Sequence, residues 1–207
     1  MKIRLALTAM SLVLAGCVNL GAKNDAPAPV YYVLNDPAVA AAPMPPRDTV
    51  PRVESHAPTL LVLDTTAGSF YDTDQLVFSR SAGTRGQYQF ARWTERPGKR
   101  FADLMRARLD GLGAYRVAAA GGYVRGDLLL DSELVEFYHD AAHEPGQLRL
   151  VLRAELVDLK RRTLLGRRVF EQQVPLASYD AAGAAQASSV AVGRALDDLT
   201  TWLATLQ

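Results

Sequence analysis

From residue 59 onward, apolar residues recur with the two spacings that distinguish strands from helices. Residues 60–63 form a continuous apolar run, which is typical of a strand buried on both faces. Residues 147–159 alternate between apolar and polar, which predicts a strand with one buried face. Short runs predict further strands at 76–78, 88–93 and 115–119, and longer ones predict strands at 127–138 and 163–174.

Two other segments carry apolar residues three and four positions apart, as one face of a helix does. The first begins at Pro97 and ends at Gly113, a residue that commonly stops helices. The second covers residues 186–206, with Trp202 beside its apolar face. The order strands, helix, strands, helix is that of an α+β fold. We therefore expect an antiparallel-rich sheet with the two helices packed on one face.

The first seventeen residues have the layout of an export signal. Two cations, Lys2 and Arg4, precede an apolar run of about ten residues and a small-residue site. That run is well short of the roughly 20 residues that a membrane-spanning helix needs. Residues 1–16 are therefore predicted to be a lipoprotein signal peptide that is removed on export.

The end of that signal, Leu14, Ala15, Gly16 and Cys17, resembles the bacterial lipobox. Cys17 is the chain's one cysteine and stands where a lipoprotein carries its N-acyl and S-diacylglycerol chains, so we expect lipidation there. Two or more acyl chains anchor a protein stably, whereas one does not. Because Val18 follows, resemblance to the Gram-negative sorting pattern implies the outer membrane, on its periplasmic face. The alternative is a signal peptide cut nearby and a chance free thiol.

The stretch after the cysteine is rich in proline and alanine. Eight of the eleven prolines fall between residues 27 and 58, a composition that favours extended, polyproline-like backbone. We therefore predict a lipid-anchored tether over 17–58, with a short strand at 31–34, followed by a domain over 59–207. From Cys17 to the strand, the chain can reach about 40 Å at roughly 3.1 Å per residue.

Composition and charge change this picture little. Charged residues make up 22% and hydrophobic residues 49% of the chain, as in an ordinary globular protein. The formal net charge is +1, and loss of Lys2 and Arg4 with the signal peptide makes it −1. Such a balance gives no global attraction to nucleic acid, so no nucleic-acid partner is expected.

Five cations are concentrated in and after the link between the last two predicted strands. They are Lys160, Arg161, Arg162, Arg167 and Arg168. One interpretation is a surface that docks on an acidic partner or on anionic head groups, to which each cation contributes up to ~1 kcal/mol. The other is a hairpin tip kept soluble by its charges.

One cluster has residue types that a metal site would need. His139 and His143, with Asp140 and Glu144 beside them, have the four-residue spacing that brings two imidazoles to one zinc ion on a helix. Pro145 follows them, which indicates a hairpin loop instead of a helix. A solvated polar loop is therefore the preferred interpretation, and no metal site is predicted.

Asp72 and Asp74 have the appearance of paired catalytic carboxylates. General acid and base catalysis needs one of them desolvated beside a partner group, and the surrounding sequence supplies none. A turn explains two aspartates around a threonine better. The chain also lacks a nucleophile-elbow motif and glycine-rich phosphate-binding or dinucleotide-binding motifs. We therefore expect no catalytic residue, no enzyme activity and no cofactor besides the covalent lipid.

Three landmarks, in this order along the chain, resemble the ABC-type transport auxiliary lipoprotein family. They are Tyr31, Tyr32, Val33 and Leu34 with Asp36 and Pro37; Phe70, Tyr71, Asp72, Gln75, Leu76, Val77 and Arg80; and Tyr88, Trp93 and Glu95. The lipobox and the proline-rich spacer fit the same family, so the resemblance covers nearly all of the mature chain.

The resemblance implies a non-enzymatic partner of an ABC permease system in which an MCE-domain protein carries lipids across the periplasm. It also implies that the lipoprotein can form a homo-oligomer. Two alternatives stay open. One is a structural lipoprotein that binds another envelope protein or the cell wall. The other is a periplasmic hydrolase that uses His139 or His143 with an aspartate.

Overall fold

A nine-stranded mixed sheet and three helices make up the residues described by the computed structural model, 27–41 and 56–206. The strands are β1 (Val30–Tyr32), β2 (Thr59–Val62), β3 (Thr66–Ala67), β4 (Gln75–Ser79), β5 (Gly86–Trp93), β6 (Arg116–Ala119), β7 (Leu128–Asp140), β8 (Gln147–Asp158) and β9 (Thr163–Pro175). The helices are α1 (Pro37–Ala41), α2 (Pro97–Leu112) and α3 (Ala181–Ala204). In this part of the chain, no helix is long and apolar enough to span a membrane.

The long antiparallel strands β7, β8 and β9 form one side of the sheet, with β9 at its edge. β8 pairs with β7 along its whole length on one side and with β9 on the other. The second side of β7 is shared by three short parallel strands: β2 near its start, β3 near its middle and β4 at its end. β6 extends the sheet beyond β2, and β5 and then β1 extend it beyond β4. The sheet therefore forks into two halves beyond β7.

Both long helices pack on the same face of this sheet, which explains the alternation in the sequence. On β8, Leu148, Leu150 and Leu152 point towards the helices and are buried, while the residues between them point away. Phe101 on α2 and Leu199 on α3 are fully buried against that layer. The predicted α+β fold, an antiparallel-rich sheet with two helices on one face, is confirmed.

The two predicted helices differ in how well their ends were predicted. Gly113 ends α2 with a φ of 70°, and its N–H donates to the Asp110 carbonyl at 3.1 Å. In contrast, α3 begins at Ala181 and not at residue 186, because the Asp180 carboxylate caps it by accepting the Gly183 N–H at 2.7 Å. The first turns of α3 contain only small residues, so the spacing of large apolar residues does not reveal them.

Part of the predicted tether packs against the domain. β1 pairs in parallel with β5, so the predicted short strand is observed at Val30–Tyr32. Leu34 is buried in the core. The remaining tether residues, 17–26 and 42–55, lie outside the described residues, as does the predicted signal peptide, so the division of the chain into signal, tether and domain stays a prediction.

Candidate functional site

The basic cluster lies where β8 turns into β9. One carboxylate oxygen of Asp158 accepts the Arg161 N–H at 2.8 Å, and the other accepts the Arg161 guanidinium at 3.3 Å. Arg162 completes the turn with a φ of 57°, in the left-handed region. Lys160, Arg161 and Arg162 therefore stand together at the exposed end of the hairpin, which we call the basic tip.

The structure does not bring all five predicted docking cations together. Arg167 pairs with Glu155, directly opposite on β8, at 2.7 Å. Arg168 lies on the other face of β9, with its guanidinium 5.6 Å from the centre of the Phe170 ring. Because successive strand residues point to opposite faces, Arg167 and Arg168 cannot share one surface. Only the three residues of the basic tip form a common patch.

The basic tip carries more positive charge than its neighbours neutralise. Hydrogen bonds, first of all from the Arg161 N–H, lower the pKa of Asp158, so this carboxylate stays ionised and holds Arg161. The side chains of Lys160 and Arg162 make no ion pair or hydrogen bond with the described part of the chain. Two exposed cations are therefore available to an external carboxylate or phosphate.

A groove of about 450 Å³ lies between the basic tip and the end of α3. Its apolar lining consists of Pro58, Tyr115, Leu128, Leu156, Leu165 and Leu206. Its charged lining consists of Asp127, Asp158, Lys160 and Arg161. The groove therefore combines an apolar wall with a charged rim, which we call the tip groove.

The expectation that His139 belongs to a solvated loop is wrong. The side chain lies on β7 and is buried, because β7 runs two residues further than its predicted end. The Tyr88 hydroxyl is 2.8 Å from Nδ1 of His139, and the Pro145 carbonyl oxygen is 3.3 Å from Nε2. Burial lowers the pKa of His139, so the ring is neutral, with Nε2–H donating to the carbonyl and Nδ1 accepting from the tyrosine. His143 is exposed in the loop that follows, as predicted.

This histidine therefore fastens a loop within the fold. Burial, and then the nearby Asp180 carboxylate, raise the pKa of Tyr88 to about 12, so the tyrosine keeps the proton that it donates. Within the described ranges, no group of three or more His, Cys, Asp or Glu side chains is placed to hold a metal ion.

The two aspartates after Phe70 lie in an exposed turn, as predicted. Asp72 pairs with Arg96 at 3.1 Å, and Asp74 lies 4.0 Å from Arg92. The Thr73 hydroxyl accepts the Gln75 N–H at 3.2 Å, which closes the turn. Each carboxylate therefore faces an arginine across solvent-exposed surface.

A buried ion pair, not predicted from the sequence, fastens the N-terminal segment. Asp36 is fully buried and accepts two hydrogen bonds from Arg108, Nε to Oδ2 at 2.9 Å and Nη2 to Oδ1 at 2.7 Å. Oδ1 also accepts the Ala38 N–H at 3.0 Å in the first turn of α1. Arg108 contacts Asp197 on α3 with its remaining nitrogen. An aspartate directly before a proline is a helix-start signal that would have revealed α1.

A family model described as the ABC-type transport auxiliary lipoprotein component matches residues 32–200. The chain belongs to this family. The matched region of this auxiliary lipoprotein begins within β1 and therefore includes the segment that Asp36 fastens. The family supports the prediction of a lipoprotein, although Cys17 itself lies outside the described residues and its lipidation stays a prediction. No curated protein matches the chain.

Solved structures share the fold of this auxiliary lipoprotein. Protein XCC0632 from Xanthomonas campestris is 22% identical, with a TM-score of 0.70 over 86% of this chain and 95% of its own. An uncharacterized protein is 11% identical, with a TM-score of 0.64 over 86% and 99%. The PelC dodecamer from Paraburkholderia phytofirmans is 12% identical, with a TM-score of 0.45 over 73% and 95%, too weak a likeness to inform function. At such identities the likeness shows the fold alone.

Proposed function

We propose that the protein is a periplasmic lipoprotein of the outer membrane, anchored through Cys17, that serves an ABC system in which an MCE-domain protein moves lipids between membranes. It acts by binding and positioning, and not by catalysis. The family match over residues 32–200 carries the proposal. The lipobox at 14–17 supports the anchor.

The positions of the anchor chain and the basic tip suit this role. β1 is separated from β7 by β5 and β4 and runs antiparallel to it, so the first residue of β1 points towards the end of β7 where β4 pairs Phe78 with His139. The basic tip follows Asp158, which pairs with Leu128 at the start of β7. The eleven-residue separation along β7 spans roughly 35 Å. A chain drawn from Val30 to the membrane therefore leaves the basic tip facing away from it.

In this arrangement the basic tip docks on an acidic surface of the MCE-domain partner. Lys160 and Arg162 supply the unpaired charges, and docking through exposed charges weakens as salt rises. A homo-oligomer would present several tips to one partner and so strengthen weak single contacts. Analytical ultracentrifugation of the lipoprotein tests for that assembly.

The anchor is tested by Cys17→Ser. Without the thiol no diacylglycerol can be attached, so the protein should move from the outer-membrane fraction to the soluble periplasmic fraction. Fractionation on a sucrose gradient with immunoblotting measures this. Unchanged membrane association and sorting would refute the anchor.

The docking role is tested by co-purification. The wild-type lipoprotein should retain the MCE-domain protein, identified by mass spectrometry, and the double variant Lys160→Glu, Arg162→Glu should lose it. Lys99→Glu, an exposed charge reversal on α2, is the matched control and should retain the partner. Absence of the MCE-domain protein from the wild-type sample would favour the structural envelope lipoprotein instead.

A further inference from the structure

The lining of the tip groove has an apolar part and a charged part. Leu165 on β9 and Leu206, just beyond the end of α3, contribute apolar surface, while Lys160 lies in the exposed turn before β9. Leu156 closes the bottom of the groove and belongs to the buried core. The leucines of the groove therefore form an apolar surface that extends from solvent to the core between the sheet and the helices.

Neither carboxylate at the rim forms an ion pair with Lys160. Oδ2 of Asp127 instead accepts the Thr59 N–H at 2.8 Å. Asp158 is held by the backbone and side chain of Arg161. Lys160 is therefore the rim cation that makes no ion pair with the described residues, and Arg162, two residues further along the turn, makes none either.

Size and chemistry together narrow the class of ligand. A volume of about 450 Å³ lies within the range of roughly 300–1,000 Å³ that is usual for small-molecule sites. A polar anion would leave the leucine wall in contact with water, and a neutral apolar molecule would make no use of the charge of Lys160. A molecule with one acyl chain and an anionic head group uses both parts of the lining.

We infer that the tip groove binds the acyl chain of a single-chain anionic lipid, with the head group paired to Lys160. The inference rests on the proposed function, because a role in lipid transport supplies such a ligand at the end of the molecule that faces the partner. It adds that the lipoprotein itself holds lipid, in addition to positioning the protein that carries it.

The test measures binding of dansylundecanoic acid, a fluorescent single-chain anion, to the full chain carrying Cys17→Ser, which is purified without detergent. Saturable enhancement and blue shift of dansyl emission are expected, since the probe enters an apolar site. Palmitate should displace the probe, and monopalmitoylglycerol, which has the same chain and no charge, should do so about tenfold less well.

Two neighbouring leucines provide a matched pair of variants. Leu165 lines the groove and Leu164 does not, although both are partly exposed on β9. Leu165→Trp should fill the groove and weaken probe binding about tenfold, while Leu164→Trp should bind like the wild type. Lys160→Glu should weaken displacement by palmitate and leave displacement by monopalmitoylglycerol unchanged. Near-UV circular dichroism checks that each variant is folded. If Leu165→Trp does not fold, the variant at the exposed Lys160 still tests the site.

The inference is overturned if the probe does not bind saturably, if both tryptophan variants bind alike, or if the neutral lipid competes as well as palmitate. These outcomes are separate from those of the proposed function. A protein that binds no probe but retains the MCE-domain protein refutes the lipid site alone. A protein that binds the probe but retains no partner refutes the docking role alone.

Discussion

Replacing Asp36 with alanine is expected to destabilise the protein strongly, because the substitution leaves a largely buried arginine short of its partner. The Asp36 side chain is 0% exposed and that of Arg108 14%. Their two parallel hydrogen bonds are the geometry in which an arginine–carboxylate pair is strongest. The Ala38 N–H, which the same carboxylate caps, also loses its acceptor.

The expected loss follows from what Arg108 retains. Removing one partner of a buried ion pair typically destabilises by about 3–5 kcal/mol. Arg108 keeps its contact with Asp197, which places the loss near the lower end, at about 3 kcal/mol. At roughly 2–4 °C per kcal/mol for a domain of this size, the melting temperature should fall by about 6–12 °C.

Urea unfolding followed by circular dichroism measures this difference in the free energy of unfolding. Asp64→Ala is the matched control, since Asp64 also pairs with an arginine of α2, Arg106, but its side chain is 69% exposed. The control should lose less than about 1 kcal/mol. If Asp36→Ala loses no more than Asp64→Ala, the buried pair does not hold the N-terminal segment and the reasoning fails.

Three further predictions concern the end of β7. Gly146→Ala should lower the melting temperature, because Gly146 has a φ of 78° and an added Cβ would lie 2.4 Å from the Asp140 carbonyl oxygen; an unchanged melting curve would contradict this. Burial lowers the pKa of His139, so the unfolded chain takes up the proton first and stability present above about pH 6.5 should be lost as the pH falls. His139→Phe should lose less stability than the wild type as the pH falls below about 6.5, which urea unfolding midpoints measured at several pH values would show. Absorbance titration should reveal a phenol with a pKa of about 12 that is missing from Tyr88→Phe.

The long strands and helices could be predicted because apolar residues recur at one regular spacing along each of them. The alternation along residues 147–159 reports the two faces of β8, and the spacing after Pro97 reports the buried side of α2. The start of α3 could not be found in this way, since its first turns use small residues and a cap. β3 escaped because its two residues are too short to show a period.

The sequence indicated which charged residues belong to the candidate site, but not which of them share a surface. Five cations close together in sequence indicated a basic hairpin, but the pleat of β9 and the ion pair with Glu155 remove Arg167 from the patch. The tip groove depends on Leu206 and Leu165, which lie far apart in the sequence, lining the same groove. The sequence pattern misplaced His139 for a related reason, since the donor to its ring comes from Tyr88 on β5 and the acceptor from Pro145 in the next loop.

With the proposed lipid anchor at Cys17, the buried pair at Asp36 would also set how far the body can move from the membrane. If the chain were free until β2, the 42 residues from Val18 to Thr59 would span about 130 Å at roughly 3.1 Å per residue. Because β1 and Asp36 fasten the chain to the body, only the 13 residues from Val18 to Val30 remain, or about 40 Å. In the proposed arrangement the pair would therefore restrict the height of the basic tip above the membrane, which is the property that the proposed positioning role needs. A segment that composition marks as a tether thus contains, at Asp36, the contact that limits its reach.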